Sequence, residues 1–65
     1  EAASNLNLDA GNAVVISNSP LRLASFTTND RDALAAQNGD MIYNTTDNKL
    51  QGYQNGSWIN LDGTV

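Results

Sequence analysis

The stretch Met41–Leu61, "MIYNTTDNKLQGYQNGSWINL", decides how this chain is read. It contains three short apolar runs separated by two polar turns. Asn55-Gly56, between "QGYQ" and "SWIN", is the strongest short-range hairpin signal, because a type I′ turn needs positive φ at both central residues. A two-residue loop there sets Tyr53 opposite Trp58, Gly52 opposite Ile59, Gln51 opposite Asn60 and Leu50 opposite Leu61. Thr45-Thr46-Asp47-Asn48 suits a four-residue loop, with Asn48 able to take positive φ. That loop sets Tyr43 opposite Leu50, Ile42 opposite Gln51 and Met41 opposite Gly52. The expected architecture is mainly β: a small three-stranded antiparallel meander.

Directly opposed residues share a face. One face therefore carries Met41, Tyr43, Leu50, Gly52, Ile59 and Leu61. It is almost wholly apolar, so Met41, Tyr43, Leu50, Ile59 and Leu61 are the expected core. Gly52 leaves room there for a bulky neighbour such as Met41 or Tyr43. The other face carries Ile42, Gln51, Tyr53, Trp58 and Asn60. A lone antiparallel sheet turns a polar face to water. Here that face holds an aromatic cluster, which marks a binding or assembly surface.

Upstream, "TTNDRDALAAQNG" (27–39) has the signals of one short helix near residues 30–36. Thr28 or Asn29 can cap it. Asp30 and Asp32 suit its positive N-terminal end. Ala33, Leu34, Ala35 and Ala36 are good helix formers, and Asn38-Gly39 is a suitable stop. Leu34 is its one substantial anchor. Before it, residues 1–26 read as extended pieces joined by turns: Leu6 and Leu8 alternate with Asn, "AVVIS" (13–17) is β-branched, "SNSP" (17–20) is a turn, and "LRLASF" (21–26) alternates again. The chain is thus divided into an extended segment, 1–26, and a folded module, 27–65.

The chain has 65 residues, with 3 Lys plus Arg against 7 Asp plus Glu. At this length about 60% of the unfolded surface is buried, which makes a marginal core. Such domains usually need disulfides, a metal or association. The chain has no Cys and no His, so disulfides and a structural zinc site are excluded and association is expected. The acidic balance argues against nucleic-acid binding and against docking on anionic lipid. No apolar run approaches the roughly 20 residues of a membrane span. The chain opens on Glu1 rather than Met, which reads as a fragment or processed product.

The pattern "RDAL…NG-MIYNTT-NKLQGYQNGSWINL" resembles a recurrent C-terminal module of phage tail fibres and related virion appendage proteins. The matching positions are Arg31, Asp32, Ala33, Leu34, Asn38, Gly39, Ile42, Tyr43, Asn44, Thr45, Lys49, Tyr53, Gly56, Trp58 and Leu61. Tyr53 to Leu61 is also similar to the trimerising foldon of phage fibritin, with an aromatic, a Gly turn, Trp and then alternating aliphatics. The resemblance covers residues 31–61. It implies an intertwined homotrimer in a virion fibre, or otherwise an extracellular setting, with residues 1–26 as the end of a shaft.

Catalysis is not expected. Without His or Cys there is no Ser-His or Cys-His nucleophile pair. Asp30 and Asp32 suit a helix start, and Asp40, Asp47 and Asp62 suit turns and strand ends better than a glycosidase pair. No Asp/Asn spacing matches a calcium loop, although an ion on a symmetry axis would need only one ligand per chain. No cofactor is implied. Asn44-Thr45-Thr46 and Asn55-Gly56-Ser57 match the glycosylation pattern, but the turn chemistry explains both. The alternative to assembly is a lectin-like tip, with Tyr53 and Trp58 stacking on a host surface glycan. Burial of Tyr53 and Trp58 has an upper bound of about 8–12 kcal/mol, the scale of a small domain's stability. This favours assembly, with Leu34, Ile42, Tyr53 and Trp58 facing a neighbouring chain.

Overall fold

The computed structural model describes residues 4–65. Its elements are β1 (Ser25–Phe26), α1 (Thr28–Asp32), β2 (Met41–Asn44), β3 (Lys49–Gln54) and β4 (Ser57–Asn60). The four strands form one sheet in the order β1-β2-β3-β4. The fold is therefore small and mainly β, with one short helix. It is a mixed sheet rather than a three-stranded antiparallel meander, because β1 pairs in parallel with β2. Parallel neighbours need a crossover, and residues 27–40, including α1, supply it. The amides of Tyr43 and Thr45 donate to the carbonyls of Ala24 and Phe26, each at 2.9 Å. The sheet thus reaches back across the boundary drawn at residues 26 and 27.

The two hairpins have the register that their turns imply. Tyr53 pairs with Trp58, Gln51 with Asn60, and Gly52 with Ile59. Tyr43 pairs with Leu50, Ile42 with Gln51, and Met41 with Gly52. Asn55 and Gly56 have φ of 50° and 81°, and Asn48 has φ of 57°. These are left-handed conformations that Asn and Gly adopt at the least steric cost.

The helix departs from its expected span. Its cap is Thr27, whose hydroxyl oxygen accepts from the Asp30 amide at 3.2 Å, and it ends at Asp32. Leu34 lies beyond it and is 37% exposed. With no buried apolar residue to hold a further turn, propensity alone cannot extend so short a helix. Residues 4–24 join no strand, and Val14, Val15, Ile16 and Leu21 are all exposed. "AVVIS" has β propensity but no partner strand among the described residues.

The burial pattern reverses the expected faces. Within one chain α1 covers the face of Ile42, Asn44, Gln51, Tyr53, Trp58 and Asn60. Ile42 is 4% exposed and is the single buried large apolar side chain among the described residues. Met41, Leu50, Ile59 and Leu61, expected in the core, are exposed; Met41 and Leu50 are 50% and 49% exposed. Tyr43 on that face is half-buried. Conversely Ile42, Tyr53 and Trp58, expected to face a neighbour, are covered within the chain: Ile42 is buried, and Tyr53 and Trp58 are half-buried beside α1. The cause is polar. Asn44 and Gln51 on the second face are buried and need hydrogen-bond partners, and the short helix offers Thr28 to the first and Arg31 to the second. An apolar face has no use for such partners.

Candidate assembly surface and the polar network behind it

Gln51, at the centre of β3, is 3% exposed, and Asn44 beside it is fully buried. Their amides form one network. Arg31 Nη1 donates to Gln51 Oε1 at 2.9 Å, and Asn44 Nδ2 donates to the same oxygen at 3.0 Å. Gln51 Nε2 donates to Asn60 Oδ1 at 2.7 Å. Asn44 Nδ2 also reaches Thr28 Oγ1 at 3.1 Å. The carbonyl oxygen of Asn44 accepts from the amides of Thr46 and Asp47, which pins the four-residue turn. Every buried side-chain nitrogen and oxygen among the described residues has a partner. A fully satisfied network of this kind is rigid and selects one register.

Arg31 also covers the aromatic pair. Its guanidinium carbon lies 5.8 Å from the centre of the Trp58 ring, within cation–π range. Tyr53 meets Trp58 edge-on, with ring centres 5.1 Å apart. A sugar stacking on Trp58 from the α1 side would have to displace Arg31, and so would uncover Gln51. The Arg31 side chain is 15% exposed, and its Nη2 is 2.7 Å from Asp32. The sequence alone places Arg31 only in a motif, and Gln51 and Asn60 only on the aromatic face. The signal for their role is one amide on each strand of the face toward α1: Asn44 on β2, Gln51 on β3 and Asn60 on β4.

The opposite face is the open one. Met41, Leu50, Ile59 and Leu61 present exposed apolar side chains there, with the half-buried Tyr43 among them. None of the residues on that face is charged. At its edge a shallow depression is lined by Asn48, Lys49, Leu50, Leu61 and Asp62. Lys49 Nζ donates to Asp62 Oδ2 at 2.6 Å, and the Thr64 hydroxyl and amide donate to the other oxygen at 2.7 and 3.0 Å. The bond from Lys49, then those from Thr64, hold the Asp62 carboxyl well below the ordinary carboxylate range. This cluster pins the chain end that follows Leu61. No group of three His, Cys, Asp or Glu side chains among the described residues is placed to hold a metal ion, and no helix among them is long and apolar enough to cross a membrane.

The total accessible surface is 5494 Å² for 6.9 kDa, whereas a compact monomer of that mass exposes about 4000 Å². The radius of gyration, 13.4 Å, likewise exceeds the about 11 Å of a compact chain of this length. Comparison with protein-family models, curated proteins and solved structures finds no match to this chain.

Proposed function

We propose that the chain is a non-enzymatic structural module that trimerises and sets the register of a virion fibre or appendage. The observation that carries the reading is the uncovered apolar face of Met41, Tyr43, Leu50, Ile59 and Leu61. Its weight comes from area. The chain exposes about 1500 Å² more than a compact monomer, an excess shared between this face and the exposed residues 4–24, and a stable interface removes about 800 Å² from each partner. Two neighbouring copies would absorb the excess. An uncharged face on a chain of net charge −4 meets a second copy without juxtaposing like charges. On this reading the sheet faces turn toward a shared axis, the segments before β1 intertwine with their copies, and the Arg31–Gln51 network keeps each sheet in register. The choice of three copies, and of a virion as the setting, comes from the resemblance of residues 31–61 to tail-fibre modules.

The test is mass in solution. Light scattering at micromolar concentration is expected to give three times 6.9 kDa. A folded monomer at that concentration overturns the proposal.

A further inference from the structure

We propose that Asn55-Gly56 is a latent self-modification site that the fold holds inactive, with the Asn38 side chain as its guard. An Asn followed by Gly is the sequence most prone to spontaneous deamidation, because Gly places no Cβ in the path of its own amide nitrogen. That nitrogen loses its proton to hydroxide and attacks Cγ of the Asn side chain. The C–N bond to the side-chain amine breaks, and ammonia leaves with a proton from water. Water then opens the resulting succinimide at either carbonyl, leaving Asp or isoaspartate. The balance is Asn plus water giving Asp plus ammonia, with no other reactant.

The chain has Asn-Gly at residues 38–39 and 55–56, and in both the attacking nitrogen is engaged. The Gly39 amide donates to the Tyr53 carbonyl at 2.8 Å. This bond belongs to a reciprocal pair, because the Tyr53 amide donates to the Asp40 carbonyl at 2.8 Å. The Gly56 amide has a different partner: it donates to Oδ1 of Asn38 at 3.0 Å. An amide whose N–H is held by an acceptor gives up its proton less readily, and its nitrogen is turned toward that acceptor. Asn55 and Gly56 are both exposed, so neither burial nor distance from water protects them. The acceptor that holds the attacking nitrogen at residue 56 is thus one side chain, from the other Asn-Gly pair. The placement matters because isoaspartate inserts an extra backbone atom. At residue 55 that atom would enter the turn that sets Tyr53 opposite Trp58.

The experiment incubates the full chain, its Asn38→Ala and Asn38→Asp variants, and a peptide spanning residues 52–59 at mildly alkaline pH. Peptide mapping follows the exchange of NH2 for OH and the isoaspartate at residue 55. Conversion in the wild type is expected to be far slower than in the peptide. Asn38→Ala, checked as folded by circular dichroism, should approach the peptide rate. Asn38→Asp keeps an acceptor and should stay with the wild type. Equal rates in the wild type and folded Asn38→Ala overturn the proposal, as does a wild type that converts as fast as the peptide. Amide hydrogen exchange on the wild type gives a second readout that needs no variant. The Gly56 N–H must be protected from exchange, and an unprotected one also overturns the proposal.

Discussion

A Cβ placed on Gly52 would stand 3.1 Å from Cδ2 of Leu61. Leu61 thus lies across the central strand in space that only Gly leaves free. The next neighbours of that point are the Asp40 carbonyl at 3.7 Å and Met41 Cγ at 3.9 Å. Gly52 costs the strand conformational entropy, and in return Leu61 and Met41 close over it on the open face. Leu61 is 44% exposed, so its side chain can move a few tenths of an ångström. Gly52→Ala is therefore expected to change folding stability by less than about 1 kcal/mol, since Ala also gains strand propensity. Gly52→Val adds bulk that Leu61 cannot clear and should cost about 1–3 kcal/mol. Thermal melts of both variants check the contrast, and equal losses would contradict it.

Arg31, like Thr28, joins helix to sheet through its side chain. It donates to Gln51 at 2.9 Å and stands 5.8 Å from the Trp58 ring centre. Its removal deletes a charged hydrogen bond to a buried amide, worth about 1.5–3 kcal/mol, and a cation–π contact of about 0.5–2 kcal/mol. Arg31→Ala should lower the melting temperature and shift the emission of Trp58, the sole Trp of the chain. Asp32→Ala removes only the more exposed half of an ion pair, so it should cost under about 1 kcal/mol. A chain that tolerates Arg31→Ala as well as Asp32→Ala would refute the role given to the guanidinium.

The register was legible because Asn55-Gly56 and Thr45–Asn48 specify turn geometry locally, and a turn fixes every pair along its hairpin. The pairs Tyr53–Trp58 and Tyr43–Leu50 follow from those residues alone. Which face α1 covers was not legible. Counting apolar side chains favours the face of Met41, Leu50, Ile59 and Leu61. The outcome instead turns on the buried amides of Asn44 and Gln51, which bond Thr28 and Arg31 of α1. The parallel strand β1 was also hidden. Two residues, Ser25 and Phe26, carry no periodicity, and their pairing with Tyr43 and Asn44 depends on where the crossover delivers them.

The Lys49–Asp62 pair gives a pH dependence whose direction is set. The Asp62 carboxyl is held below its ordinary value, so the folded state releases its proton more readily than the unfolded chain does. Its contribution is fully present above the unfolded carboxylate pKa, about 3.9, and is lost as pH falls below that toward the folded value. The carboxylate is solvent-exposed, so the effect is small and weakens with salt. Melts of the wild type and Asp62→Asn should differ slightly at neutral pH and converge in acid. A difference that widens in acid would contradict the assignment.

Substitutions on the two faces separate association from folding. On the open face, Leu50 and Ile59 are exposed within one chain, so Leu50→Asp and Ile59→Asp leave the Arg31–Gln51 network intact. A charge there is buried only when a second copy covers it, and an uncompensated buried charge costs several kcal/mol. Both variants are expected to give a dissociated chain by light scattering, and one that keeps the far-ultraviolet signature of the sheet to the extent that a single chain is stable. Trp58→Ala acts on the other side. It removes the ring that Tyr53 and Arg31 pack against, so the loss falls on folding, and about 3–5 kcal/mol is the upper range for such a truncation. That exceeds what a marginal domain of this size can spare. Trp58→Ala should therefore lose secondary structure and oligomer together, whereas the Leu50 and Ile59 variants lose the oligomer first. If Leu50→Asp and Ile59→Asp retain the full oligomer mass while Trp58→Ala yields a folded monomer, the assembly surface lies on the α1 side.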